Sequence, residues 1–93
     1  MAFFAVQYTY IPDAAKVQEY RPEHREFLAN LHDQGIVKLS GPVATEPGQA
    51  LIIVTGESAE EVGHIMDADP FQQHQVIAER SIAEWNVVIG SIN

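Results

Sequence analysis

The chain contains an uninterrupted run of five apolar residues, Ala50 to Val54, between two sets of turn residues. The turn-forming segment Glu46 to Gln49 precedes the run, and Gly56 closes it. Turn residues on both sides of a short apolar run are typical of a strand. Because this strand has no polar side, the sequence predicts that it is covered on both faces of its sheet.

Three further segments alternate apolar and polar side chains with the period of two that is typical of strands. They are residues 1–11, 36–43 and 76–89. One side of the first segment carries Phe4, Val6, Tyr8 and Tyr10. In the second, we expect Val37, Leu39 and Val43 to point inward, with Lys38 and Ser40 on the opposite face. In the third, one face carries Ala83, Trp85, Val87 and Ile89.

The segment from Arg21 to Gly35 predicts an amphipathic helix with a histidine on its apolar face. The residues that share this face by their spacing are His24, Phe27, Leu28 and Leu31. Pro22 suits the first helical position, because its missing N–H would be unpaired there, and Gly35 suits the position just after the helix. Residues 14–20 fit either a loop or a weak helical turn. We therefore expect His24 to face inward.

A second helix is predicted to begin after Ser58, because Ser58 and Glu61 have the spacing of a capping box. One face of this helix carries Ala59, Val62, Ile65, Met66 and Asp69. Pro70 disfavours helical geometry at the preceding residue, so we expect the helix to stop at Asp69 and residues 71–75 to form a connection. A carboxylate at the negative end of a helix needs a compensating partner, and His24 is a candidate.

The order strand, helix, strand, strand, helix, strand predicts an α+β, ferredoxin-like fold in a single domain over residues 1–93. Right-handed crossovers place both helices on one face of a four-stranded antiparallel sheet. The other face then has no cover within the chain, although 46% of the residues are hydrophobic. Pairing of two such faces in a homodimer is the simplest solution.

Composition excludes several classes of function. The chain has 13 acidic and 5 basic side chains, a net charge of −8 that repels a phosphate backbone, so nucleic-acid binding is not expected. The basic residues, scattered along the sequence, are Lys16, Arg21, Arg25, Lys38 and Arg80. The chain has no cysteine, no apolar stretch near the roughly 18 residues of a membrane span, and no pattern of signal-peptide type. We expect a cytoplasmic protein without membrane contacts.

His24 is the first candidate for chemistry, because an imidazole can act as a general base or acid. If Asp69 pairs with it, the carboxylate orients the ring. The alternative, a histidine satisfied by a carbonyl or water, stays open, as does a merely capping role for Asp69. Ser40 is a weaker candidate for a hydroxyl donor, and Arg21 for binding a ligand carboxylate.

Other residues carry weaker signals. An apolar pocket lined by aromatic side chains is one interpretation of Tyr8, Tyr10, Phe71 and Trp85, and core packing is the other. The remaining histidines, His32, His64 and His74, lack the spacing of metal ligands, so no metal is expected. There is no phosphate-binding glycine loop, nucleophile elbow or cysteine, so no cofactor is expected.

Four groups of residues together resemble a known family. They are Arg21-Pro22-Glu23-His24 with Leu28, Leu31 and Gly35; Ser40-Gly41-Pro42; Asp67-Ala68-Asp69-Pro70-Phe71; and the last strand through Ile82 to Trp85. In this order and spacing the chain is similar to the YCII-related (YciI-like) proteins over nearly its whole length. The resemblance implies a ferredoxin-like subunit of a dimeric α/β barrel with His24 and Asp69 as the active-site pair.

Some of these relatives dehydrochlorinate chlorinated hydroquinone-type compounds with the help of a serine, which points to Ser40. The resemblance thus implies a cofactor-independent enzyme of lyase type that acts on a small cyclic or aromatic compound. The residues expected to bind the substrate are Arg21, Gly41, Pro42, Phe71 and Tyr8. Two alternatives stay open: a small-ligand-binding or structural dimer without catalysis, and a monooxygenase-like or muconolactone-isomerase-like member of the same barrel.

Overall fold

A computed structural model describes residues 2–92 of the chain. The elements, in chain order, are β1 (Ala2–Tyr10), α1 (Ala14–Asp33), β2 (Val37–Val43), β3 (Gln49–Gly56), α2 (Ala59–Met66), α3 (Pro70–Gln73) and β4 (Ile77–Trp85). None of the helices within residues 2–92 is both long enough and apolar enough to cross a membrane.

The four strands form one sheet in the order β2-β3-β1-β4, and every neighbouring pair is antiparallel. Each crossover skips one strand, which is the ferredoxin-like topology, so the predicted fold class is confirmed. The apolar run from Ala50 to Val54 lies within β3, one of the two central strands.

The core lies between one face of the sheet and the helices. The four residues that the alternation places together on one side of β1 face the helices, and all are buried: Phe4, Val6, Tyr8 and Tyr10. The helices contribute Val17, Leu28, Leu31, Val62, Met66 and Phe71 to the same cluster. His24 lies on this buried side of α1 with only 6% of its surface exposed, so the inward orientation expected from its spacing is confirmed.

Helix α1 begins two turns before the position that Pro22 suggested, so the predicted start at Arg21 is wrong. The Asp13 side chain caps the helix by accepting a hydrogen bond from the backbone N–H of Lys16 at 3.1 Å, and Val17 anchors the first turns in the core. Pro22 lies inside the helix on its exposed side, where water can satisfy the carbonyl that loses its usual donor. Gly35 follows the helix with a φ of 79°, as predicted.

The chain around Asp69 also differs from the prediction. Helix α2 begins after its Ser58 cap, as expected, but ends at Met66, and Asp69 is the N-cap of the short helix α3 rather than the last residue of α2. Pro70 occupies the first turn of α3, where proline is favoured. The Asp69 carboxylate therefore lies at a helix start, where backbone N–H groups point towards it, and not at an unfavourable helix end.

A β-bulge in β2 overturns the predicted facing of Leu39, Ser40 and Val43, whereas Val37 is buried as predicted. Val37 pairs with Val54 and Leu39 pairs with Ile53, so Lys38 is an extra residue without a partner of its own. The bulge moves Leu39 to the face of the sheet opposite the helices, where it is 56% exposed. It moves Ser40 the other way, because Ser40 pairs with the core residue Ile52. One inserted residue thus exchanges the two faces of the strand.

The last strand is shorter than the predicted segment 76–89. Strand β4 ends at Trp85, and Val88 and Ile89 lie beyond it, 86% and 93% exposed. Val87 and Ile89 continue the period of two set by Ala83 and Trp85, but the pairing of β4 with β1 stops at Phe3 and Trp85 in the described structure.

Candidate active site

His24 and Asp69 are in direct contact in the interior of the molecule, although 45 residues separate them in sequence. The Nδ1 atom of His24 lies 2.9 Å from both Oδ1 and Oδ2 of Asp69. The aspartate is completely buried, and the histidine is nearly so. Because a carboxylate only accepts hydrogen bonds, Nδ1 carries the hydrogen, and the lone pair of the neutral ring is on Nε2.

Two further donors hold the Asp69 carboxylate in place. The Tyr8 hydroxyl donates to Oδ2 at 3.0 Å, and the backbone N–H of Phe71 donates to Oδ1 at 2.9 Å. A buried carboxylate is costly unless donors surround it, and here a strand, a helix and a capping turn each provide one. The orientation of the carboxylate, and through it that of His24, is therefore set by three separate parts of the fold.

Tyr8 acts as a donor from behind the pair. Burial raises the pKa of the Tyr8 hydroxyl strongly, and the nearby negative charge of Asp69 raises it further. The hydroxyl therefore keeps its proton and donates a hydrogen bond to the carboxylate. Only 1% of Tyr8 is exposed, so the structure places it beneath His24 and Asp69 rather than at a surface that a substrate reaches.

Phe71 fixes the plane of the imidazole. Its ring stacks on that of His24 with a centroid distance of 4.0 Å and an angle of 4° between the planes. Tyr10 packs edge-on against the same phenyl ring, at 5.3 Å and 78°. Phe71 is fully buried, so it supports the histidine from the interior and, like Tyr8, does not form part of an open surface.

A cleft of about 530 Å³ opens between α1 and β2, and His24 forms part of its wall. Within residues 2–92, Nε2 of His24 has no hydrogen-bond partner, and it is not among the enclosed polar atoms without a partner. The free lone pair therefore belongs to the edge of the ring that is open to the cleft. The cleft also brings together four other residues singled out from the sequence: Arg21, Ser40, Gly41 and Pro42.

The model of the YCII-related domain family matches residues 2–86. The chain belongs to this family. No curated protein matches the chain.

Among solved structures, this YCII-related protein is similar to 5-chloro-2-hydroxyhydroquinone dehydrochlorinase from Burkholderia phenoliruptrix AC1100, in complex with 2,5-dihydroxybenzoquinone. The TM-score is 0.75 and the identity 20%, over 90% of this chain and 93% of that one. It is also similar to an antibiotic biosynthesis monooxygenase, with a TM-score of 0.60 and 12% identity, over 95% of this chain and 99% of that one. At these identities the likeness establishes the fold.

The cleft of this YCII-related protein also contains residues that were not singled out as site residues from the sequence. Arg25 and Lys38 line it. Tyr10, which the sequence offered as a pocket-lining aromatic residue, lines it too, and burial raises its pKa. The basic residues are therefore not scattered in space, as their sequence positions suggested. For Arg25 the available signal was its four-residue spacing from Arg21 on one helix face. For Lys38 there was none, because only the bulge brings it to the cleft.

A second cavity, of about 750 Å³, lies between the start of α1 and the loop before β3. It is larger than the cleft, but no histidine lines it and no buried ion pair borders it. Among residues 2–92, no three histidine, aspartate or glutamate side chains are grouped in a way that would hold a metal ion. The paired imidazole therefore makes the first cleft the better candidate for chemistry.

Proposed function

We propose that this YCII-related protein is a cofactor-independent enzyme of lyase type that acts on a small cyclic or aromatic compound, with His24 as the general base. The proposal rests on one observation: a buried carboxylate engages Nδ1 of His24 while Nε2 borders an open cleft. A ring held in this way presents a lone pair at a fixed position, which is what proton abstraction requires.

The proposed reaction is the elimination of a hydrogen halide or a similar small acid. Nε2 takes a proton from an O–H or C–H bond of the substrate, and the electrons of that bond form a new π bond. The leaving group departs with the electron pair of its bond to carbon. The step is internally balanced in electrons, so it consumes no oxidant or reductant.

Asp69 and Ser40 have different roles in this proposal. Asp69 keeps Nδ1 as the donor and stabilises the positive ring that forms when Nε2 accepts the proton. Ser40 lines the cleft across from His24, and its hydroxyl has no hydrogen bond within residues 2–92. We assign it the role of a donor to an oxygen or a leaving group of the substrate.

A panel of halogenated and hydroxylated aromatic compounds tests the proposal, with halide release and product absorbance as readouts. We expect wild-type protein to turn over at least one compound, and His24→Gln to lose that activity. The exposed residue His64 provides the matched control, His64→Gln, which should keep it. If ligands bind and His24→Gln changes affinity only, the protein is a binding module and the catalytic role is wrong.

We also propose that the protein is a homodimer that pairs the sheet faces opposite the helices. Cross-strand register places four large apolar side chains on this face: Leu39, Val43, Leu51 and Trp85. Each is at least 40% exposed. Large exposed apolar side chains grouped on one sheet face are a common sign of a protein interface, and a two-fold axis covers two copies at once.

A further inference from the structure

The few basic side chains of this acidic protein are concentrated at one place. The chain has 5 lysine and arginine residues against 13 acidic ones, and three of the five line the cleft beside His24: Arg21, Arg25 and Lys38. No aspartate or glutamate is among the lining residues within the part of the chain that the structure describes. The cleft is thus positive on a protein whose net charge is −8.

The three cations that line the cleft form no ion pair in the part of the chain that the structure describes. Within residues 2–92, the ion pairs are His24 with Asp69 and Arg80 with Asp67, so none involves a lining cation. Arg21 donates a hydrogen bond to the neutral Gln18 side chain, at 3.3 Å. Arg21 and Arg25 are four residues apart on α1, a spacing at which like charges repel each other and destabilise a helix. The arrangement therefore costs stability without an internal partner, which points to a ligand.

The cations come from both walls of the cleft that His24 lines. Arg21 and Arg25 come from the same helix as His24, and Lys38 comes from β2 on the other side of the cleft, at the bulge. The remaining wall is largely apolar and includes Leu28, Pro42 and Ala50. A ligand that contacts both the cations and the apolar wall carries a negative group on a compact apolar frame.

We infer that the substrate of this cleft is a small organic anion, a carboxylate or a phenolate on an apolar frame of about one ring. The inference deepens the proposed function, because it assigns a substrate class to the same cleft. Cations beside a general base also fit the chemistry. When Nε2 removes a proton, negative charge develops on the substrate, and preplaced positive groups stabilise that charge.

Binding of matched probes to the intact protein tests the charge preference without any turnover. The anions are benzoate, cyclohexanecarboxylate and 4-nitrophenolate, and the neutral counterparts are benzamide, cyclohexanecarboxamide and nitrobenzene. Titration followed by protein NMR at about 0.05 M and about 0.5 M salt reports affinity and its screening. We expect at least one anion to bind about tenfold more tightly than its neutral counterpart, and high salt to weaken the anion only.

Variants that remove a positive charge then test whether the cations of the cleft cause the preference for anions. Lys38→Met and Arg25→Gln should each weaken binding of the anion about five- to tenfold and leave the neutral probe unchanged. Lys16→Met removes the same charge from α1 outside the cleft and should leave both probes unchanged. The thermal midpoint of each variant checks that it is folded.

Equal affinity for anions and neutral probes, no saturable binding of any anion, or an equal effect of Lys16→Met would overturn the inference. His24→Gln separates this inference from the catalytic proposal. If the variant and the wild type both prefer the anion but neither shows turnover, the substrate class stands and the elimination reaction is wrong. If turnover depends on His24 but is fastest with neutral compounds, the reaction stands and the substrate class is wrong.

Discussion

The hydroxyl of Tyr8 donates a 3.0 Å hydrogen bond to Oδ2 of Asp69, across 61 residues of sequence. The two residues come from the central strand β1 and from the cap of α3, and both are buried. Through this bond the sheet takes part in holding the carboxylate that orients His24.

Removing the Tyr8 hydroxyl should destabilise the fold and weaken catalysis together. Tyr8→Phe leaves Oδ2 with one donor fewer, and a lost hydrogen bond to a charged group costs about 1.5–3 kcal/mol of unfolding free energy. Urea denaturation measures this loss. Tyr20→Phe is the control, because Tyr20 is a partly buried tyrosine on α1 whose hydroxyl forms no hydrogen bond within residues 2–92. This variant should change the unfolding free energy by less than about 0.5 kcal/mol. Equal effects of the two variants would contradict the prediction.

The raised pKa of Tyr8 predicts how the stability of the fold changes at alkaline pH. The folded state keeps the Tyr8 proton, because its pKa is raised, whereas the unfolded chain loses it near a pH of about 10. Above that pH the unfolded state binds fewer protons, so the unfolding free energy falls, by about 1.4 kcal/mol per pH unit for this group. The stabilising effect is complete below pH about 10. Tyr8→Phe should reduce the slope by that amount, measured by urea denaturation between pH 9 and pH 11, roughly.

Asp69→Asn should abolish most activity by changing the histidine tautomer. The amide can accept the Phe71 N–H with its oxygen, but its NH₂ group then faces Nδ1 of His24 and moves the ring hydrogen to Nε2. We expect a fall in the catalytic rate of about 10²- to 10⁴-fold with a smaller change in substrate affinity. Asp67→Asn is the matched control, because Asp67 pairs with Arg80 at the surface. Full activity in Asp69→Asn would refute the orienting role.

The flat ring of Phe71 should matter for the catalytic rate, beyond the space that its side chain fills. Phe71→Leu keeps an apolar side chain but removes a flat partner, so the imidazole gains freedom to tilt. Aromatic pairs contribute about 0.5–1.5 kcal/mol beyond burial, and we expect at least that loss of stability with reduced turnover. Phe27→Leu changes a partly buried phenylalanine of α1 that packs against the core and should preserve the rate. An equal loss of rate in both variants would indicate that the packing of the whole core, and not the stack on His24, determines the rate.

A charge on the open sheet face should break the proposed dimer. Leu51→Glu places a carboxylate on the central strand β3 of this face, where pairing two copies would bury two like charges. Sedimentation velocity at micromolar concentration should give a dimer for the wild type and a monomer for the variant. Val88→Glu adds the same charge beyond the end of β4 and should remain dimeric. A monomeric wild type would refute the proposed dimer.

Local patterns were sufficient for most of the fold and for the inward direction of His24. The spacing of His24, Phe27, Leu28 and Leu31 determines a shared helix face, and strand alternation determines which side of β1 is buried, because both depend only on backbone periodicity. Element order then leaves few topologies, since crossovers in such sheets are right-handed. The resemblance to the YCII-related proteins rested on residues that periodicity alone does not explain.

Tertiary structure decided the details that complete the site. The bulge at Lys38 turns Ser40 to the cleft and Leu39 to the open face, and a bulge arises from pairing with a neighbouring strand rather than from the strand's own sequence. Similarly, Asp69 became a helix cap paired with His24 and Tyr8, a role that depends on three elements meeting in space. The sequence by itself determined the elements and the candidate histidine, whereas only long-range packing decided which charges and hydroxyls surround it.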